Sequence, residues 1–137
     1  MRQAIVLLVM AGFVVVVIVG CGGSSQQPVQ VIGSITPGQQ PVNDIELLIY
    51  PQGKANAGGN PIIQQHVTDL LPAGESVQFD VSVPSEGTYD IVVQGLYAVI
   101  TNGDVPDIEQ LEIIWLNVSL SAPSTDIGVL NLNLPVP

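Results

Sequence analysis

Cysteine and basic side chains are both scarce in this chain of 137 residues. Cys21 is the only cysteine, which excludes a disulfide within a monomer. Lysine and arginine number 2 against 12 aspartate and glutamate residues, so the net charge is −10. We expect no nucleic acid partner, because binding to phosphates depends on lysine and arginine.

Histidine is equally rare, since His66 is the only one. Zinc sites usually combine several histidine or cysteine ligands. A serine hydrolase of the nucleophile-elbow type needs a Gly-x-Ser-x-Gly motif, which this sequence does not contain. We therefore expect that the protein is not an enzyme and interpret His66 as a surface residue.

A long apolar run dominates the N-terminal region. Arg2 precedes it, and no charged residue interrupts the run from Ile5 to Val19. The run is apolar on all sides, unlike an amphipathic core helix. A positive residue, an apolar stretch and small residues in succession are typical of a secretory signal. The alternative is an uncleaved signal anchor, although Gly and Ser follow the run where an anchor would favour Lys and Arg.

The run ends in IVGC, residues 18–21, which resembles the lipobox of bacterial lipoproteins. The resemblance implies cleavage between Gly20 and Cys21 and attachment of diacylglycerol to the Cys21 thiol. Acyl chains such as palmitate would then hold the protein on the lipid bilayer. In that family an aspartate after the cysteine favours the inner membrane, and Gly22 here favours the outer membrane if the cell has one. We expect lipid anchoring at the cell membrane or outer membrane.

The resemblance also divides the chain. We expect residues 1–20 to be the signal peptide, residues 21–28 to be the lipidated cysteine with a flexible tether, and residues 29–137 to form one domain outside the cytoplasm. After cleavage Lys54 alone would oppose the 12 acidic residues, which changes the net side-chain charge to −11. This acidic domain would be repelled from anionic headgroups and held by its anchor.

From Val29 onward the hydrophobic pattern has a period of two residues. Alternation of this kind predicts β-strands with one buried face, and proline and glycine separate the segments. We expect no helix after Val29, a hairpin over residues 77–93 that turns at Pro84–Gly87, and a bulge near Ile113–Ile114. The predicted strand segments begin at Val29, Ile45, Val77, Tyr89, Leu111 and Leu130.

Several segments together resemble carboxypeptidase regulatory-like domains of the transthyretin-like group. They are VIGSI at 31–35, PV at 41–42, IELLIY at 45–50, FDV at 79–81, Pro84, GTYDI at 87–91 and DIGVL at 126–130. The resemblance implies a single antiparallel β-sandwich, transthyretin-like or immunoglobulin-like, of about seven strands. It also implies a non-catalytic role. Tyr89 resembles a tyrosine corner, which is a structural feature.

Two groups of residues are candidate ligand sites. Asn102, Asp104, Asp107 and Glu109 offer oxygen atoms that Ca²⁺ prefers, although the same residue types form ordinary turns. Tyr97 and Trp115 could contact a sugar, with core packing as the alternative for Trp115.

The sequence thus predicts a membrane-anchored envelope lipoprotein. Its domain would be a structural or protein-interaction module with an unidentified envelope protein as partner. A carbohydrate- or calcium-binding module at the cell surface is the alternative. Apart from covalent diacylglycerol, and Ca²⁺ in that alternative, we expect no cofactor.

Overall fold

The computed structural model describes residues 27–99 and 106–135 in full, and the backbone alone at Ile100. These residues form seven β-strands and no helix. The strands are β1 (Val29–Gly38), β2 (Val42–Pro51), β3 (Ile63–Leu71), β4 (Val77–Val83), β5 (Gly87–Ile100), β6 (Pro106–Leu120) and β7 (Ser124–Leu134).

The strands form two sheets, one in the order β4-β1-β7 and the other in the order β3-β2-β5-β6. The all-β sandwich expected from the alternating pattern is confirmed. One pair departs from the expected antiparallel arrangement, because β1 and β7 run parallel from Gln30 opposite Ser124 to Gly38 opposite Leu134. Parallel neighbours need a long crossover. Here the intervening chain builds the whole second sheet before it returns as β7.

The strand order also differs from that of an immunoglobulin domain. In an immunoglobulin sandwich the first two strands share a sheet, whereas here β1 and β2 lie in opposite sheets. The chain crosses between them just after Gly38. At this crossing the backbone N–H of Gln39 donates to the carbonyl oxygen of Leu134 at 2.8 Å.

The hydrophobic core lies between the two sheets. In β4 the buried residues Phe79, Val81 and Val83 alternate with exposed polar ones, as the period of two requires. The same alternation turns one face of each central strand inward. The side chains that are fully buried in this core include Val29, Val31, Ile35, Val42, Ile45, Leu47, Ile49, Ile91 and Val93.

The segment expected to be a hairpin, residues 77–93, instead connects the two sheets. β4 pairs with β1 in one sheet, and β5 pairs with β2 in the other. The Tyr89 hydroxyl donates to the carbonyl oxygen of Ser85 at 2.6 Å. This tyrosine corner, which the sequence suggested, holds the chain where it crosses the end of the sandwich. The hairpin prediction was wrong because proline and glycine mark a turn without specifying the partner strand.

The edge strand β3 of the four-stranded sheet was not predicted from the alternation of apolar and polar residues. Its sequence is IQQHVTDLL, and only Leu71 is buried, since an edge strand is exposed on most sides. The predicted bulge exists but lies further along β6 than Ile113–Ile114. The β5–β6 register shifts between Tyr89 and Ile91, after Trp115, and Asn117 adopts a positive φ of 60° there.

Candidate interaction surface

The chain enters the sandwich at one end, and the long β5–β6 hairpin extends beyond the sandwich at the other end. At the entry end, the backbone N–H of Gln30 donates to the carbonyl oxygen of Pro123 at 3.0 Å, and Ala122 N–H donates to Glu86 Oε2 at 2.8 Å. β5 starts at this end with Gly87 opposite Leu120. At about 3.4 Å per residue, its 14 residues reach about 44 Å toward the far end.

At the far end β5 and β6 extend past the rest of the sheet. β2 pairs with β5 only as far as Asn43 opposite Leu96, whereas β5 and β6 stay paired up to Ile100 opposite Pro106. Residues 97–100 and 106–109 therefore form a two-stranded ribbon, called the arm below. The arm extends about 14 Å beyond Leu96. Residues 106–110 are all exposed, and 65% of the Ile108 side chain is accessible.

β6 is also an edge strand along its whole length, because it is the last strand of its sheet. Its register with β5 is continuous from Pro106 to Trp115. The continuous stretch ends at the bulge, where the buried carboxyl group of Asp90 accepts from Asn117 N–H at 3.2 Å and from Gly53 N–H at 2.9 Å. We call residues 106–115 the β6 edge.

The outer face of the four-stranded sheet carries polar pairs around a small apolar centre. Leu48 and Val92 are opposite each other in the register and are buried, although they belong to the outer face. Gln64 Nε2 donates to Glu46 Oε1 at 2.9 Å, and Gln94 Nε2 donates to Glu112 Oε2 at 2.9 Å. Leu116, which is 50% exposed, continues the apolar surface toward the edge.

The other sheet carries a shallow groove of about 430 Å³ on its outer face, between Asp80 and Asp126. Both carboxyl groups have hydrogen-bond partners within the protein. Gln30 Nε2 donates to the two oxygens of Asp80 at 3.0 and 2.8 Å, and Gly128 N–H donates to Asp126 Oδ1 at 2.8 Å. This groove was not predicted from the sequence, where its only trace is the absence of side chains at two glycines of its lining, Gly33 and Gly128.

The structure does not bring the two candidate sugar-binding aromatics together. Tyr97 lies opposite Glu109 in the register, and Trp115 lies opposite Ile91. Six residues of β5 separate these positions, which corresponds to about 20 Å. Both rings are partly buried and pack against the core. Core packing, the alternative for Trp115, is the arrangement found.

Two of the four candidate calcium residues fall on the arm. Asp107 and Glu109 lie on its β6 strand, and Glu109 Oε1 accepts a long hydrogen bond of 3.4 Å from the Tyr97 hydroxyl. Asn102 and Asp104 lie outside the described residues. Elsewhere, His66 is exposed on β3, with its Nε2 atom 2.7 Å from Asp69 Oδ1. Gly20 and Cys21, the predicted cleavage and lipidation positions, also lie outside the described residues.

The described part of the chain holds neither a cluster of metal ligands nor a membrane-spanning helix. No group of three or more His, Cys, Asp or Glu residues in that part is placed to hold a metal ion. Within residues 27–100 and 106–135 there is also no helix long and apolar enough to cross a bilayer. Comparison with protein-family models, with curated proteins and with solved structures gives no match.

Proposed function

We propose that this protein is a lipid-anchored envelope protein whose acidic β-sandwich is a non-catalytic module for binding another protein. The anchor would be diacylglycerol on Cys21, after removal of residues 1–20. The resemblance of residues 18–21 to a lipobox supports the anchor, and the arm supports the interaction role.

The single observation that carries the interaction role is the position of the arm relative to the start of β1. β1 begins at Val29, and residues 22–28 are a glycine- and serine-containing segment that would span about 15 Å as a random coil. An anchor at Cys21 would therefore hold the entry end near the headgroups. The arm, at the opposite end, would then point away from the bilayer and toward other envelope components.

The anchor is tested by the intact mass of the full protein extracted from membranes of its native host. We expect a chain that starts at Cys21 and carries the added mass of diacylglycerol. The Cys21→Ala variant should lack this mass and remain uncleaved. An uncleaved, unlipidated wild-type chain would show that the segment is a signal anchor, and the proposed attachment would be wrong.

The interaction role is tested by crosslinking in intact cells. A photoreactive residue at position 108, on the arm, should give one discrete adduct with an envelope protein. Position 129 on β7 is the matched control, since Val129 is 64% exposed and Ile108 is 65% exposed. Equal crosslinking at both positions, or none at 108, would argue against the arm as the binding region.

The alternative of a calcium- or carbohydrate-binding module has a separate readout. Trp115 is the only tryptophan, and its ring packs against the core in the strand that leads to the arm. If the protein is an interaction module, its fluorescence should stay constant when Ca²⁺ or a panel of glycans is added. A saturable change on addition of either would favour the alternative.

A further inference from the structure

The β6 edge is the most regular outer strand edge in the described part of the molecule. It lies beside β5 on one side, and no described strand lies on its other side. Ten consecutive residues keep one register with β5 and contain no bulge. A regular edge presents a row of backbone N–H and C=O groups that a further strand can pair with.

The free edge of β7 is interrupted at two places, whereas the β6 edge is regular. Two side chains along β7 bond to the backbone two residues later: Gly128 N–H donates to Asp126 Oδ1, and Asn133 N–H donates to Asn131 Oδ1, each at 2.8 Å. The β1–β7 register shifts near both places. Bulges of this kind make an edge a poor template for another strand.

The edges on the other side of the sandwich are shorter or irregular. β3 has a register shift opposite Ile45–Glu46, and β4 has only seven residues. β3 and β4 also contact each other. The β6 edge therefore offers the longest continuous template among the four edges that the structure describes.

The charge of the β6 edge limits what can pair with it. Asp107, Glu109 and Glu112 lie within its ten residues, and the edge contains no lysine or arginine. Proteins often protect edge strands with charged residues, especially lysine. Carboxyl groups protect against a second copy of this chain, because like charges on neighbouring strands are destabilising. They leave the edge open to a strand of opposite charge.

Apolar side chains share the outer face of the sheet with Glu112, whereas Asp107 and Glu109 lie on the opposite face, because side chains alternate along a strand. Ile108 and Leu116 are exposed, and Ile114, which lies opposite Val92, is half-buried. A strand added beside β6 could cover Ile108 and Ile114 with its own branched side chains. The edge therefore combines backbone hydrogen-bonding groups, carboxyl groups and apolar contacts at the spacing of a strand.

We propose that the β6 edge binds an extended segment of another protein in which lysine or arginine alternates with branched apolar residues, and that this segment adds as a fifth strand beside β6. The proposal rests on the proposed function as an interaction module and names the class of its partner. Backbone pairing would supply much of the affinity, and charge would select against acidic strands and against self-association.

The test uses the full lipidated protein in neutral detergent and three capped ten-residue peptides. One alternates lysine and valine, and one alternates glutamate and valine. The third repeats the lysine peptide with N-methyl groups on alternate backbone nitrogens. We expect binding of the unmodified lysine peptide alone, with slower hydrogen exchange at β6 amides. Equal binding of the N-methylated peptide would show that only charge is recognised, and absence of binding by the lysine peptide would also overturn the proposal.

Charge reversal gives a second, independent test. Glu109→Lys with Glu112→Lys should weaken binding of the lysine peptide by about tenfold and allow the glutamate peptide to bind. Asp69→Lys with Glu75→Lys is the matched control, because both acids are exposed and lie off the edge. Equal weakening by the two pairs would contradict recognition at the β6 edge. If the edge variant does not fold, the comparison of the lysine peptide with its N-methylated form on the wild-type protein still tests the proposal.

These outcomes are separable from those of the proposed function. Crosslinking at position 108 without binding of the lysine peptide would leave the interaction role in place and refute the partner class. The wild-type protein could instead form a dimer that charge reversal abolishes. Such a dimer would show that a second copy occupies the edge, which also refutes the proposed partner class.

Discussion

The backbone N–H of Asn117 donates to Oδ1 of Asp90, a buried carboxyl group on the neighbouring strand, at 3.2 Å. The other oxygen of Asp90 accepts from Gly53 N–H in the loop after β2. One side chain therefore joins the β2–β3 loop to the bulge in β6. Asp90 therefore bonds to the bulge at which the regular β6 edge ends, just after Trp115.

Replacing the carboxyl group of Asp90 should lower the stability of the protein. We expect Asp90→Ala to lower the free energy of unfolding by about 2 kcal/mol, because two backbone donors lose their acceptor. Urea denaturation would measure the change. Asp80→Ala is the control, since Asp80 also accepts two hydrogen bonds, but from the exposed side chain of Gln30, and should cost at most about 0.5 kcal/mol. Equal losses would show that the two backbone hydrogen bonds to Asp90 stabilise the protein no more than the exposed bonds to Asp80.

The tyrosine corner predicts a second effect. Tyr89→Phe removes the donor to the Ser85 carbonyl oxygen and leaves the buried ring in place. We expect a loss of about 1 kcal/mol in the free energy of unfolding. Tyr97→Phe removes a longer hydrogen bond at an exposed site and should change stability by less than about 0.5 kcal/mol. Thermal unfolding of the two variants side by side measures the difference, and a reversed order would contradict the role of the corner.

The close packing around Gly33, in the middle of β1, predicts that a larger residue there destabilises the protein. A Cβ atom added at this position would lie 2.7 Å from Cζ of Phe79 and 2.8 Å from the carbonyl oxygen of Gly128. Gly33→Ala should therefore destabilise the sandwich by about 1–3 kcal/mol through overpacking. Gly59→Ala is the control, because its nearest neighbour is the Lys54 side chain in a loop. If both variants unfold at the wild-type urea concentration, the close approach at Gly33 is not needed.

Replacing an isoleucine by alanine should lower stability much more on β5 than on β6 of the long hairpin. Ile91 is fully buried, whereas 65% of Ile108 is exposed on the arm. Ile91→Ala should cost about 2–5 kcal/mol in the free energy of unfolding, and Ile108→Ala should cost less than about 0.5 kcal/mol. Chemical denaturation tests both values. A large loss for Ile108→Ala would mean that the arm is packed against the remainder of the protein.

Much of the local structure follows from the sequence because burial on one side of a sheet imposes a period of two. That period identified the inward residues of β4 before any partner was known, and it placed Phe79 and Tyr89 in the core, where both lie. It did not identify β3, whose edge position exposes His66 and its neighbours and removes the contrast between faces. The length of β5 and β6 beyond the sheet was likewise not predicted.

The sequence by itself determined the all-β class, the inward faces of the central strands and the tyrosine at the corner, since each depends on residues close together in the chain. It is also the sole source for the predicted anchor at Cys21. The tertiary structure alone decided that Val83 and Tyr89 belong to different sheets, that β7 returns parallel to β1, and that Tyr97 and Trp115 are far apart. Strand pairing joins residues that are distant in the chain, and a local pattern of alternation is compatible with many partners.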